Sequence, residues 1–249
     1  MRTILIGAGR GKRLDILTKD QPKPFTKIGD KRILDWVVQA HAENDLKDVV
    51  FIGGYMIDLV KKEYPQFTFR HNDQWENNNV LSSLLYAEDQ MDDGFICSYV
   101  DILYTPDVVR KLLDNPADIC VAVDTDWAVR YTDRTQHPTT DGEKVLVDGD
   151  RVTRISRHIP AEEAFGEFIG LAKFTKKGAE LFKAEYAKLA KEHRFEGTIP
   201  MNKAYLIHFL QHLLEKGAEI GYVTTHGDYI EVDTLQDYAY AQSTWGAKR

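Results

Sequence analysis

The sequence predicts an α/β fold, a sheet sandwiched between helices, on three observations. Short runs rich in Val and Ile alternate with segments of helical period. The first of these runs leads straight into a glycine-rich loop. Hydrophobic residues make up 43% of the 249-residue chain, enough to bury one sizeable core. No internal repeat or low-complexity linker interrupts the pattern, so residues 1–249 read as a single domain with a β-rich insertion at approximately residues 125–165.

The elements follow in order. Strands are expected at residues 3–6, 49–52, 67–70, 95–100 and 119–123, each a compact apolar run. Helices are expected between them at 32–42, 56–63, 80–90 and 106–113; in the first, Ile33, Trp36, Val37 and Ala40 form an apolar stripe. Residues 145–152 read as a hairpin turned by Asp148-Gly149. A strand at 168–174 precedes helices at 176–191 and 201–216, and strands at 220–223 and 229–232 complete the chain.

The net charge of −7 argues against nucleic acid or an anionic membrane as partner. No apolar run approaches the roughly 18–20 residues that cross a bilayer, and the N-terminus reads as a strand rather than a leader. Cys97 and Cys120 both fall in apolar runs, as free thiols in a reducing compartment would, so a cytoplasmic location is expected. The charge is unevenly spread. Residues 1–32 carry nine Lys/Arg against three Asp, a net of +6, which leaves −13 on the remainder. A cationic segment on an acidic protein suggests a site for a polyphosphate.

That segment contains Gly7-Ala8-Gly9-Arg10-Gly11-Lys12-Arg13-Leu14 directly after the first strand. Backbone N–H groups of such a loop can cradle phosphate. It is neither a dinucleotide fingerprint, since Lys12 replaces the third glycine, nor a P-loop, since Arg13 replaces the hydroxyl residue. Pro22 and Pro24 restrict the backbone around Lys23 and hold its ammonium in a set direction. With Leu17-Thr18, Phe25 and Ile28-Gly29, the opening resembles the signature of sugar-phosphate nucleotidyltransferase-like enzymes. The resemblance implies a three-layer α/β/α nucleotidyltransferase fold, Rossmann-like, with a mixed, mainly parallel sheet. It also implies that residues 7–12 wrap the triphosphate, with Lys23 and Arg13 as catalytic cations.

Phosphate cleavage by such an enzyme calls for a divalent cation held by carboxylates. Asp101, closing the run 95–100, resembles the superfamily's strand-end ligand; Asp233, with Glu231 as a second possibility on the same strand face, resembles the C-terminal one. A strand-end Asp taken alone is as well explained by a turn or helix cap. Asn77-Asn78-Asn79-Val80-Leu81-Ser82-Ser83-Leu84 resembles an element of choline-phosphate and aminoethylphosphonate cytidylyltransferases, with Leu81 in place of an aromatic and Ser83 in place of leucine; Asn78 and Ser82 are its nucleotide-contacting candidates. The segment 124–138 resembles the Trp-x-x-x-Tyr-x-x-Arg pattern of phosphonate-tailoring relatives. There Trp127 and Tyr131 could hold an ammonium, and Arg130 and Arg134 a phosphonate; an amphipathic helix burying the two aromatics explains the spacing equally well. Residues 165–172 resemble the strand that closes the acceptor pocket, with Glu167 as partner for an amine.

The expectation is therefore a Mg²⁺-dependent cytidylyltransferase that moves CMP from CTP to a small anionic acceptor. A phosphonate such as 2-aminoethylphosphonate is favoured and phosphocholine comes next, in a possible homodimer. Two alternatives stand beside it: a sugar-1-phosphate uridylyl- or thymidylyltransferase, and a non-catalytic nucleotide-binding regulator.

Overall fold

The computed structural model describes residues 1–192, 194–195 and 199–247. In chain order the principal strands are β1 (Arg2–Gly7), β2 (Val49–Gly53), β3 (Thr68–His71), β4 (Phe95–Tyr99), β5 (Ile102–Tyr104), β6 (Ile119–Asp124), β7 (Lys144–Asp148), β8 (Arg151–Ser156), β9 (Gly166–Phe174), β10 (Ile220–Thr225) and β11 (Tyr229–Glu231). The helices are α1 (Ile33–Ala42), α2 (Ile57–Glu63), α3 (Val80–Leu85), α4 (Pro106–Asp114), α5 (Trp127–Tyr131), α6 (Lys176–Glu192), α7 (Leu206–Glu215) and α8 (Leu235–Ala241).

Nine strands form one sheet in the order β3-β2-β1-β4-β9-β6-β10-β8-β7. The strands β3, β2, β1 and β4 run parallel, as do β6 and β10, and β9 lies antiparallel between the two groups. The sheet is mixed and mainly parallel, as the sequence suggested. The hairpin β7–β8 extends this same sheet, and β7 also pairs with the first residues of β9. A separate antiparallel pair, β5–β11, carries the chain segments that follow β4 and precede α8.

Alternation along the strands builds the layers. Leu5, Phe51 and Ile96 face one side, packing with Trp36, Val37 and Leu112 from α1 and α4. Ile4, Ile6, Val50, Ile52 and Cys97 face the other, against Leu84, Phe182 and Phe209 from α3, α6 and α7. Phe95 stacks on Phe174 at 4.7 Å between ring centroids, and Phe182 meets Phe209 at 4.6 Å. Cys97 and Cys120 are buried free thiols.

Several boundaries depart from the sequence expectation. The helix expected over 80–90 stops at Leu85 and resumes as a single 3₁₀ turn, Glu88–Gln90. There Arg70 holds Asp89 (Nε to Oδ1, 3.0 Å), and acidic residues near a helix C-terminus oppose its dipole. The helix expected from 201 begins at Leu206, where His208 Nδ1 accepts from the Tyr205 N–H at 3.0 Å. The strand expected at 67–70 is shifted by one residue.

One irregularity shapes the site. The β9–β6 register slips between Phe168 and Ala172, and Gly170 lies there at φ +81°, with Tyr99 packed against it. A Cβ on Gly170 would fall 2.4 Å from the Tyr99 ring. Gly170→Ala should therefore cost about 2–4 kcal/mol from backbone strain and overpacking, read as a lower denaturant midpoint.

Candidate active site

A cleft opens at the C-terminal ends of β1 and β4. It has two lobes that share Arg13, Asn79, Val80, Tyr99, Asp101 and Asp233. The first lobe, about 340 Å³, is bordered by Gly7, Ala8, Gly9, Gly11, Lys12 and Lys23, with Trp75 and Asn78 across from them. The second, about 480 Å³, is bordered by tyrosines and carboxylates.

Lys23 joins the parts. Pro22 is extended and Pro24 enters a short 3₁₀ turn, which buries Lys23 to 5% exposure. Gly11, at φ +70°, packs so closely on the Lys23 stem that a Cβ would lie 2.7 Å from Cδ. The ammonium donates to Asp101 Oδ2 at 2.8 Å and to Asp233 Oδ1, and Arg13 pairs with the other oxygen of Asp233. Burial disfavours the ammonium, yet the charges of Asp101 and Asp233 outweigh it and hold Lys23 protonated. Burial likewise pushes the Asp233 carboxyl up, but Lys23 and Arg13 prevail and bring it to about 2.

Backbone bonds place the two carboxylates. Val232 N–H donates to Asp101 O at 2.8 Å, tying the end of β11 to the turn after β4. Thr234 caps α8, and Asp237 accepts from the N–H groups of Asp233 and Thr234 at 3.1 and 2.8 Å. Asp101 Oδ1 is buried without a hydrogen-bond partner, an open acceptor of the kind a hard cation satisfies. The donor set thus fits a divalent cation at Asp101 and Asp233. Glu231 stands beside them: one oxygen of its carboxylate takes Arg134 at 3.2 Å and faces His137 Nδ1 at 3.3 Å. Burial, then the charges of Asp233 and Glu167, push the Glu231 carboxyl well up. His137, Glu231 and Asp233 cluster with candidate ligand atoms within 4.8 Å of one another, and the histidine is one that sequence reasoning passed over.

Several expected contacts are corrected by the structure. Arg10 turns out of the first lobe toward Tyr55, its guanidinium 5.6 Å from the ring. Ser82 faces away and donates to Met201 O at 3.3 Å; Ser83 takes the place beside the glycine loop, one position on. Asn78 does border the lobe, held by Asn72, whose Nδ2 donates to Asn78 Oδ1 at 2.9 Å and to Ser83 Oγ at 2.8 Å. Trp127 is buried edge-on against Tyr131 (5.5 Å) outside both lobes, the helical-packing alternative. Arg130 is not free to receive an anion: it pairs with Asp124 and with Glu167 at 3.0 Å, beneath the Tyr229 ring. Arg134 is similarly held by Asp237 at 2.7 Å and by Glu231. Neither guanidinium borders the second lobe.

Tyr131 and Glu167 do border it, joined by a 2.6 Å bond from the Tyr131 hydroxyl. With them stand Glu143, Arg157 and Tyr205, which no local sequence signal marked. Burial pushes the Glu143 carboxyl up to about 7 against the pull of Arg157, and the charge of Glu167 adds to the rise.

A glycine loop, a clamped lysine and two strand-end carboxylates around a bilobed cleft define a nucleotidyltransferase. The chain belongs to the MobA-like NTP transferase domain family, which matches residues 3–160. A relative spanning nearly the whole chain is the CTP:phosphoglutamine cytidylyltransferase of Campylobacter jejuni, 28% identical over 247 residues, 95% of this chain and 97% of that protein. The fold is also that of the inositol-1-phosphate CTP transferase of T. maritima (TM-score 0.74, 21% identity, covering 96% and 94% of the two chains). It is shared with the CTP:phosphocholine cytidylyltransferase of Streptococcus pneumoniae (TM-score 0.72, 18% identity, covering 98% of each).

The clamp makes a pH-dependent prediction. With Lys23 in place, Asp233 titrates at about 2, below its ordinary 3.8, so its contribution is complete above that value and lost only as pH falls through about 2. Lys23→Met leaves two carboxylates without their shared cation, at a cost of about 3 kcal/mol near pH 8. Asp233 then titrates higher, so the deficit should shrink toward about pH 5, measured by chemical denaturation at both values.

Proposed function

We propose that this protein is a cytidylyltransferase that joins CMP from CTP to the phosphoryl oxygen of a small, amine-bearing acceptor and releases pyrophosphate. The observation that carries the reading is the convergence of Lys23, Asp101 and Asp233 at the seam of the two lobes. The first lobe fits a nucleoside triphosphate: the glycine loop that borders it supplies N–H groups of the kind that bind phosphates, Lys12 and Arg13 add charge, and Trp75 is an aromatic at its border against which a base could pack. Lys23 is positioned between α-phosphate and acceptor, where it orients both and offsets the charge that builds in the transition state. The acceptor oxygen attacks the α-phosphorus in line, the bond to the β-phosphate oxygen breaks, and pyrophosphate carries the electron pair away. Mg²⁺, held by Asp101 and Asp233, would supply further charge neutralisation at the phosphates.

Support for CTP comes from the full-length relative and from both structural neighbours, each of which uses it. For the acceptor, the carboxylates and tyrosines of the second lobe favour a cationic nitrogen. With Arg130 and Arg134 committed to carboxylates, nothing in the 124–138 segment favours a phosphonate over a phosphate.

Pyrophosphate release across the four nucleoside triphosphates, with a panel of phosphorylated amines, should be highest with CTP; a clear preference for UTP or dTTP would point instead to a sugar-phosphate enzyme. Asp101→Asn keeps the side-chain volume and leaves Lys23 paired with Asp233, so the fold should survive. Its turnover should nonetheless fall by about 10²–10³-fold. Wild-type turnover in that variant would remove Asp101 from the reaction.

A further inference from the structure

Beside the seam, on the second-lobe side, stands a histidine that the proposed transfer step leaves unused. His137 is 5% exposed and borders that lobe, its ring stacked on Tyr131 at 5.9 Å between centroids. Both its nitrogens face carboxylates. Nε2 lies 3.6 Å from Asp141 Oδ2, and Nδ1 lies 3.3 Å from Glu231 Oε2, yet Nδ1 is buried without a hydrogen-bond partner. A proton on Nε2, toward Asp141, leaves the Nδ1 lone pair beside an anionic oxygen. A cation between those two electron-rich atoms reconciles them. Two donors bound to one ion at about 2.1 Å stand roughly 3.0–3.4 Å apart, which matches the spacing of Nδ1 and Oε2.

Asp233 supplies a third donor. One ligand atom from each of His137, Glu231 and Asp233 lies within 4.8 Å of the other two. The carboxylates already have partners, but those partners leave them capacity. Arg134 takes Oε2 of Glu231, while Oε1 accepts no hydrogen bond among the described residues. Lys23 and Arg13 take one oxygen of Asp233 each, two of the roughly four lone-pair positions on a carboxylate. The Arg13 side chain is half exposed, so an ion can displace it from Asp233 without unpacking the core. All three donors border the second lobe, and only Asp233 also borders the first. The nitrogen changes which ion is preferred. Mg²⁺ keeps to oxygen ligands, whereas imidazole suits first-row transition metals.

We propose that His137, Glu231 and Asp233 form a second divalent-cation site, selective for a transition metal, distinct from the Asp101–Asp233 pair and open to the second lobe. His137 binds through Nδ1, and Asp141 holds the proton on Nε2. Asp233 bridges the two cation positions. Three protein ligands leave coordination positions for a ligand entering from the lobe. Ion binding requires no nucleotide, so the site stands or falls apart from the transfer reading.

Calorimetry of Co²⁺ added to the full chain in excess Mg²⁺ should find one tight site per chain. His137→Phe keeps the ring stack on Tyr131 and removes the nitrogen. It should weaken Co²⁺ binding about 100-fold or more, beyond the usual cost of losing an outer-shell partner. Glu231→Gln should also weaken it, and Asp101→Asn should retain it. Under the same conditions, pulsed paramagnetic resonance of Mn²⁺ on the wild-type chain should show coupling to an imidazole nitrogen. Co²⁺ binding no tighter than Mg²⁺, or Mn²⁺ coupled to no nitrogen, overturns the site whatever the variants do. Binding that survives His137→Phe overturns it as well, and its loss in Asp101→Asn would assign the ion to the Asp101–Asp233 pair. A chain that passes these tests but releases no pyrophosphate from CTP keeps the site and loses the transfer reading.

Discussion

A single buried ammonium organises this molecule. Lys23 reaches two carboxylates that lie 78 and 210 residues away in sequence, and its burial is tolerable only because both are there. To satisfy it, the glycine loop after β1, the turn after β4 and the end of β11 must meet at one point. The backbone bond from Val232 to Asp101, the capping of α8 by Thr234 and the close packing of Gly11 on the lysine stem all serve that meeting. The clamp also keeps the carboxylates close together by interposing a positive charge, which a bound cation and a triphosphate would redistribute.

How much of this could be read in the sequence follows from the range of the interactions involved. Strand positions were legible because alternation is local: Ile4 and Leu5 part to opposite faces in any sheet with helices on both sides. The glycine loop, Asp101 and Asp233 were legible because each lies within a short pattern at a strand end, and Lys23 because Pro22 and Pro24 flank it. Arg130 and Arg134 were misread for a definite reason. A sequence displays a cation but not the buried carboxylates that neutralise it, and the partners of these two come from β6, β9, β11 and α8. Ser82 was named where Ser83 borders the loop, a single-residue offset of about 100° around a helix. Glu143, Arg157 and Tyr205 were invisible because their proximity depends on β7 pairing with β9 and on Arg157 reaching the Tyr205 ring, long-range contacts with no local signature.

The two arginines that left the acceptor site still matter to it. Arg130 ties β6 to β9 through Asp124 and Glu167, and Arg134 ties the loop after α5 to β11 and α8 through Glu231 and Asp237. Removing either would leave carboxylates unpaired in a largely buried wall, a larger loss than a surface ion pair implies. These bonds fix the orientation of Glu167, Tyr131 and Glu231 before any ligand arrives.

Such rigidity is what nucleotidyl transfer asks of a protein. The reaction forms no bond to the enzyme, so rate comes from holding two anions, which repel each other, in line and close together. A flexible polar cleft would relax around each anion separately and spend binding energy on its own rearrangement; oriented, neutralised walls avoid that cost. The surplus of carboxylates in the second lobe then becomes intelligible. An all-cationic acceptor site would bind the triphosphate there as readily as the acceptor, whereas a lobe whose wall includes Glu143, Glu167 and Glu231 disfavours a second polyphosphate. On the cytidylyl-transfer reading proposed above, that charge layout would separate two phosphate-bearing ligands whose reactive ends are chemically alike.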